Sequence, residues 1–194
     1  IEIFMFITLE SIEGCGKTTQ VAHIIQWVRA AGHACLATRE PGGTPIGSQI
    51  RSVLLDPSND DLVPTAELML YLADRVQHLE TVVRPAVQAG KVVICDRFFD
   101  ATMVYQGYAR GLDKAVLRRL HQLACGGMMP DLTLLLDVDV KIGLNRAWRR
   151  IQSESDPGKE SRFEKETLAF HQRVRDGYLD LARRDPRRFV IIDA

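Results

Sequence analysis

The residues best suited to chemistry form the segment from Glu10 to Thr19, E-S-I-E-G-C-G-K-T-T. Its two closely spaced glycines allow backbone N–H groups to approach a polyphosphate, and a following helix would add the positive end of its dipole. A lysine after the second glycine reaches the β- and γ-phosphates, and the next hydroxyl can bind Mg²⁺. The segment therefore predicts a phosphate-binding loop. The predicted loop residues are Ser11, Ile12, Glu13, Gly14, Cys15, Gly16, Lys17, Thr18 and Thr19.

The elements on either side have the arrangement that such a loop requires. The apolar run at 3–9 predicts a buried strand, and apolar spacing after the loop predicts an amphipathic helix that ends at Gly32. Ser11 departs from the usual pattern G-x-x-x-x-G-K-[ST], and if its turn needs a positive φ the replacement costs about 1–2 kcal/mol. With strand and helix in place, we predict that the chain binds a nucleoside triphosphate.

Length and composition indicate one globular domain over residues 1–194. Apolar residues make up 46% of the chain, and its 25 basic and 25 acidic residues leave no net charge. With no net charge, no overall electrostatic field attracts the chain to nucleic acid or to a membrane surface. No apolar run approaches the ~20 residues of a membrane span. The start of the chain has no basic segment and predicts a core strand instead of a signal peptide. Four widely spaced cysteines are typical of reduced thiols, so we expect a cytoplasmic protein.

The rest of the chain alternates between apolar runs of strand length and helical patterns. Further strands are predicted at 34–37, 92–95, 132–136 and 189–192. Helices are predicted at 46–55, 65–90 with a break at Pro85, 112–124, 139–150 and 163–184. This order predicts an α/β fold with a five-stranded parallel sheet and helices on both faces. A polar segment at 152–160 predicts a mobile lid of about residues 150–162.

Charged residues follow three of the predicted strands, and ligands of such sheets bind beyond the carboxyl ends of the strands. These residues are Arg39-Glu40, Asp96-Arg97 and Asp137. Asp96 suits a Mg²⁺ site together with Thr18, although it could also be an acid that simply ends a strand. Arg97 could contact a phosphate or form a surface salt bridge. We favour the functional interpretation for both.

Two further groups of residues share a helical face. Arg146, Arg149 and Arg150 lie beside the predicted lid, where cations would stabilise a transferred phosphoryl group. The alternative is a solvated basic face. Tyr71 and Arg75 are four residues apart and could stack on and donate to a nucleobase, although such pairs are more often packing contacts.

No pattern indicates a base that activates a hydroxyl group. An acceptor that is itself a phosphate, with a second pKa of about 6, is already ionised at pH 7 and needs no strong base.

With these motifs in view, the chain resembles the bacterial thymidylate kinases of the P-loop nucleoside monophosphate kinase family over essentially its whole length. Besides the loop, the resemblance rests on R-E-P-G-G-T-P, I-R-S-V-L-L-D, Y-L-A-D-R-V-Q-H, D-R-F, Y-Q-G-Y-A-R-G and P-D-L-T-L-L-L-D-V. It implies transfer of the ATP γ-phosphoryl group to dTMP with Mg²⁺, in a homodimer. Because the family's adenine-contacting segment would begin where the chain stops, it also implies that part of that pocket is missing.

The resemblance also assigns roles to matching positions. Catalysis would depend on Lys17, Arg97 and Arg150, with Arg146 and Arg149 supporting the ATP phosphates. Arg97 and Arg51 would clamp the acceptor phosphate. The acceptor site would contain Glu13 at the 3′-hydroxyl, Pro41, Tyr71 stacked on thymine, Arg75 at a thymine carbonyl, Thr102 and Gln106 at the base, and Tyr105 at the sugar 2′ position.

Two other functions stay open on the sequence. One is a kinase of the same fold for another small acceptor, such as a nucleoside or a shikimate-like metabolite. The other is a P-loop switch that hydrolyses its nucleotide slowly. The chain has no N-K-x-D stretch for reading guanine, which speaks against the switch.

Overall fold

The computed structural model describes residues 5–153 and 160–194. At its centre, the described strands form one five-stranded parallel sheet in the order β2-β3-β1-β4-β5. The strands are β1 Phe6–Glu10, β2 Cys35–Arg39, β3 Val92–Asp96, β4 Leu132–Asp137 and β5 Phe189–Asp193. This confirms the predicted fold class, and β2 to β5 lie within two residues of their predicted ends.

The sheet separates two apolar clusters because successive side chains of a strand point to opposite faces. Phe6 of β1 packs in the larger cluster, whereas Ile7 and Leu9 pack on the other face with Val28 of the first helix. By the same alternation Glu10 shares the face of Phe6. Its carboxyl group therefore enters the larger core and is fully buried.

The α-helices cover both faces of the sheet. They are α1 Lys17–Ala30, α2 Pro45–Leu55, α3 Pro64–His78, α4 Arg84–Gln88, α5 Phe99–Thr102, α6 Lys114–Cys125, α7 Val140–Ser153 and α8 Leu168–Arg184. Two π-helical segments, Leu79–Val83 and Met103–Ala109, continue α3 and α5. The first lies directly before α4, which contains Pro85, where the sequence predicted a break. Among the described residues no helix is long and apolar enough to cross a bilayer.

The predicted start of the last helix at residue 163 is wrong. Helix α8 begins at Leu168, because the Thr167 side chain accepts a hydrogen bond from the Phe170 N–H group at 3.2 Å and caps the helix. Residues 162–166 form turns and a bend instead, and Phe163 is buried there. Residues 154–159 of the predicted lid lie outside the described residues.

Candidate active site

The loop between β1 and α1 has the geometry of a phosphate-binding turn. Gly14 and Gly16 adopt positive φ angles of 72° and 88°. A Cβ atom at Gly14 would lie 1.9 Å from the Gly143 carbonyl oxygen of α7, so only glycine fits there. Ser11 does not have a positive φ, since Arg97 is the one non-glycine residue of the described chain with that conformation. The backbone strain that a positive φ would cause at Ser11 is therefore absent.

Lys17 folds back over this loop. Its Nζ atom donates to Ser11 Oγ at 3.0 Å and to the Ile12 carbonyl oxygen at 3.4 Å, and it lies 4.0 Å from Asp96 Oδ1. The hydroxyl group that replaces the usual glycine thus gives the lysine a hydrogen-bonding partner. A cation is held at the loop, next to the carboxyl end of β3.

A cavity of about 530 Å³ extends from the loop across the carboxyl ends of the strands. It brings together most of the residues that the sequence predicted. Those that line it are Glu13, Gly14, Cys15, Gly16, Lys17, Thr18, Thr19, Pro41, Arg51, Tyr71, Arg75, Asp96, Arg97, Thr102, Tyr105, Gln106, Arg146 and Arg150. Ser11 and Ile12 are buried outside the lining, and Arg149 is exposed outside it.

Arg97 is built into the wall of this cavity by its backbone and its side chain. It has a φ of 69°, and its Nη2 atom donates to Glu13 Oε1 at 2.9 Å. The guanidinium carbon lies 4.8 Å from the centre of the Tyr105 ring, and the Tyr105 hydroxyl donates to the same Glu13 carboxylate. Burial alone would raise the pKa of Glu13, but the Arg97 cation and His171 bring it below its ordinary value. Glu13 therefore stays anionic.

Oxygen atoms suited to a hard cation lie near the loop. Asp96 Oδ1 is buried and has no hydrogen-bond partner among the described residues, and Thr18 lines the same cavity. Carboxylate and hydroxyl oxygens suit Mg²⁺, which usually takes only one or two protein ligands and completes its shell with water and phosphate oxygens. The described residues contain no group of three or more His, Cys, Asp or Glu side chains that could hold a metal ion.

The other end of the cavity is formed by α3 and by the segment after β3. Arg75 is almost fully buried and donates to Glu40 Oε2 at 2.8 Å and to the Phe98 carbonyl oxygen at 3.1 Å. Its guanidinium group packs on the rings of Phe98 and Phe99, at 5.1 and 5.8 Å, and the described cation–π contacts do not include one with Tyr71. Arg75 is thus held rigidly at the cavity wall.

Two polar side chains complete this end of the cavity. Gln106 Nε2 donates to Glu67 Oε1 at 2.8 Å, and Glu67 is fully buried. Thr102 Oγ1 is buried and makes no hydrogen bond with the described residues. A planar polar ligand would therefore meet one oriented amide and one unpaired hydroxyl group.

The cations near the predicted lid divide into two groups. Arg146 and Arg150 line the cavity, and Arg150 Nη2 lies 3.7 Å from Glu164 Oε1. Arg162 is instead buried outside the cavity, where it donates to the Leu54 carbonyl oxygen and pairs with Glu67. Arg162 lies at the far end of the predicted lid, and these contacts make it an anchor of that end.

Sequence reasoning missed several acidic and basic partners of the site. Glu160 holds Arg51 through two parallel hydrogen bonds, and His171 Nδ1 lies 3.1 Å from Glu13 Oε2. Each pair is more than 100 residues apart in sequence. Local spacing carries no signal for such contacts.

The parallel sheet has a phosphate loop after its central strand, and arginines from α2, from α7 and from the position after β3 surround one cavity. These features define a protein of the P-loop NTPase class. The sequence model of the family described as thymidylate kinase matches residues 9–194. The chain belongs to the thymidylate kinase family.

Individual relatives agree with this assignment. The chain is 56% identical over 190 residues to thymidylate kinase of Desulfosudis oleivorans and 60% identical over 190 residues to that of Trichlorobacter lovleyi. Each alignment covers 98% of this chain and 89% of the relative. The crystal structure of thymidylate kinase from Ehrlichia chaffeensis superposes with a TM-score of 0.76 at 32% identity, covering 98% of this chain and 88% of that one.

Proposed function

We propose that this chain transfers the γ-phosphoryl group of ATP to dTMP, forming dTDP and ADP, with Mg²⁺ as the metal. The observation that carries the proposal is that one cavity joins the phosphate loop to Arg97 and Arg51 and then to Tyr71 and Arg75. A donor phosphate, an acceptor phosphate and a nucleobase each find suitable partners along it.

Phosphoryl transfer depends mainly on positioning and on cations, because the transition state spreads negative charge over the transferred group. Lys17 and the loop amides would hold the donor phosphates, with Arg146 and Arg150 approaching from α7. Thr18 and Asp96 would hold Mg²⁺, which when bound neutralises charge on the phosphate oxygens. An ionised acceptor phosphate needs no general base, and we assign none.

The acceptor would lie between Arg97 and α3. Arg97 and Arg51 would bind its phosphate, and Glu13, fixed by Arg97 and Tyr105, would face its sugar. Tyr71 would stack on the base, and Arg75, Thr102 and Gln106 would contact its polar edge. Because Arg75 is held by Glu40, it would donate without first losing side-chain freedom, which favours selective binding.

We also propose that the protein is a cytoplasmic homodimer. In support, the four cysteines are free thiols, and α2 and α3 carry the exposed apolar side chains Ile46, Val53 and Met69. Exposed apolar patches on neighbouring helices often mark an interface between protein chains. Sedimentation at micromolar concentration tests this assignment, and a monomer would contradict it.

The reaction is tested by ADP release from ATP and Mg²⁺ with dTMP, dUMP, UMP, CMP, AMP, GMP or thymidine. We expect strong stimulation by dTMP alone and none when Mg²⁺ is removed by EDTA. Stimulation by another acceptor would keep the phosphate loop but remove the base-site assignments. Hydrolysis without acceptor dependence would support a switch instead.

A further inference from the structure

Arg97 adopts a backbone conformation that a non-glycine residue does not hold without support. Its φ of 69° lies in the left-handed region, where the Cβ atom of an ordinary residue crowds the following carbonyl oxygen. Such a conformation persists only where the surrounding contacts fix it. Two of these contacts involve Arg97 itself, since its N–H group donates to the Leu9 carbonyl oxygen at 3.0 Å and its carbonyl oxygen accepts from Cys95 Sγ at 3.0 Å.

The third contact is made by the next peptide group. The N–H group of Phe98 donates to Glu10 Oε1 at 2.8 Å. Glu10 is the last residue of β1, and its side chain is fully buried on the larger core face. Its other oxygen accepts from the Tyr178 hydroxyl of α8 at 2.7 Å. The peptide that follows Arg97 is therefore fixed by a side chain that is itself anchored to α8.

This contact does not depend on the charge of Glu10. Burial, together with the charge of Asp100, raises the pKa of Glu10 to about 8. The protonated acid still has a carbonyl oxygen that accepts from Phe98, and its O–H group can donate to the Tyr178 oxygen. The hydrogen bond to Phe98 is thus available in both forms.

A buried carboxyl group is a costly choice for this position. Burying it is unfavourable unless its oxygens are paired, whereas an apolar side chain of similar size would pack in the same core without that cost. Neither oxygen of Glu10 is among the buried side-chain atoms that lack a hydrogen bond. One of its two partners is the peptide group that sets the direction of Arg97.

We propose that Glu10 is a positioning residue for the reaction, which keeps Arg97 in its left-handed conformation by holding the Phe98 N–H group. This inference rests on the proposed function, because it takes Arg97 as the residue that binds the acceptor phosphate. Glu10 acts through the backbone, from within the core, and does not line the cavity.

The test compares three variants of the full chain in initial-rate kinetics with ATP and dTMP. Glu10→Leu removes the acceptor of the Phe98 hydrogen bond, and we expect kcat/KM for dTMP to fall roughly 10- to 100-fold with KM for ATP unchanged. Glu10→Gln keeps a carbonyl oxygen for Phe98 and an amide group for Tyr178, so it should stay close to wild type. Thr8→Val is the matched control, since Thr8 is a buried polar residue of the same strand face that bonds Thr133.

A double-mutant cycle with Arg97→Ala shows whether Glu10 acts through Arg97. We expect Glu10→Leu to cause no further loss in that background, because the group that it positions is already gone. The proposal would be overturned if the decreases in kcat/KM of Glu10→Leu and Arg97→Ala multiplied in the double variant. It would also be overturned by equal effects of Glu10→Leu on both substrates, or by a decrease in Thr8→Val as large as in Glu10→Leu. If Glu10→Leu does not fold, Tyr178→Phe takes its place. We then expect a smaller decrease in kcat/KM for dTMP, an unchanged KM for ATP, and no further decrease when Arg97→Ala is already present.

The outcomes separate this inference from the proposed function. A wild-type protein that dTMP does not stimulate would refute the proposed function. A wild-type protein that is active with dTMP, together with a normal Glu10→Leu variant, would refute the role of Glu10 alone.

Discussion

Arg75 and Glu40 form a buried ion pair, with Arg75 Nε 2.8 Å from Glu40 Oε2 and only 3% of each side chain exposed. Glu40 also contacts His78 Nδ1 at 2.8 Å, and Arg75 donates to the Phe98 carbonyl oxygen. The pair therefore joins the end of β2 to α3 and to the segment after β3. The residue that we place at the nucleobase is also part of the protein's internal support.

Arg75→Ala should consequently affect both substrate binding and stability. Without Arg75 the Glu40 carboxylate is buried beside His78 alone, and losing one partner of a buried ion pair costs about 3–5 kcal/mol of unfolding free energy. We also expect a higher KM for dTMP and an unchanged KM for ATP. Urea unfolding measures the first effect and initial rates measure the second.

Arg184→Ala is the control, because Arg184 pairs with Asp180 on the surface with 68% of its side chain exposed, and such pairs contribute little. Its unfolding midpoint should stay near that of the wild type. Equal increases in KM for both nucleotides in Arg75→Ala would move Arg75 out of the base site.

On the proposed function, Glu160 would compete with the acceptor phosphate for Arg51. Arg51 donates to both carboxylate oxygens of Glu160, at 3.0 and 2.7 Å, and to the Pro41 carbonyl oxygen at 3.0 Å. An ion pair of this exposure is worth about 0.2–1 kcal/mol, so Glu160→Gln should lower KM for dTMP by up to about fivefold. KM for ATP should not change. Glu80→Gln, which alters an exposed pair with Arg84 outside the cavity, provides the comparison, and an increase in KM for dTMP would contradict the competition.

The sequence predicted the inner strands of the sheet well because a parallel strand that is buried on both faces must be a continuous apolar run. Val92 to Cys95 shows this, with all four side chains buried. The phosphate loop was predictable from the sequence for a similar reason, since Gly14 must lack a Cβ atom next to α7. In both cases the physical requirement acts on neighbouring residues, so a short stretch of sequence carries it.

The supporting contacts could not be predicted in this way. Glu10 meets Tyr178 across 168 residues, and Arg162 meets Glu67 across 95. Whether a charged residue is exposed or buried in a pair depends on packing between distant elements, which spacing does not reveal. Arg162, at the end of the predicted lid, is such a buried anchor. The start of α8 was misjudged for a local reason, because the cap at Thr167 outweighed the helical pattern before it.

Lys17→Ala should remove most of the activity without changing the fold. Lys17 contacts Ser11 and Ile12 in the loop, and its side chain is only 10% exposed at the cavity wall. Loss of a cation that stabilises developing charge costs about 3–4 kcal/mol, or a 100- to 1000-fold decrease in kcat. Single-turnover kinetics at saturating ATP and dTMP measures this decrease. Lys91→Ala removes an exposed lysine outside the cavity and should behave like wild type, whereas near-normal turnover of Lys17→Ala would refute the assignment.

His121 gives the protein a stability that depends on pH. The ring is 3% exposed and stacks on Phe99 at 3.9 Å, and its Nε2 atom lies 2.8 Å from the Met128 carbonyl oxygen. Burial lowers the pKa of His121 from 6.5 to about 4. Between these values the unfolded chain binds a proton that the folded protein does not, so stability falls as the pH decreases from 6.5 to 4.

His121→Gln keeps an amide group that can donate to Met128 but cannot titrate. The unfolding free energy of wild type relative to this variant should be highest above pH 6.5 and should decrease by about 2–3 kcal/mol by pH 4. Urea unfolding at intervals of half a pH unit measures this difference. Gln26→Ala, at an exposed position of α1 that carries no titratable group, should differ from wild type by an amount that does not depend on pH. A constant difference for His121→Gln as well would show that His121 binds its proton equally well in the folded and unfolded states.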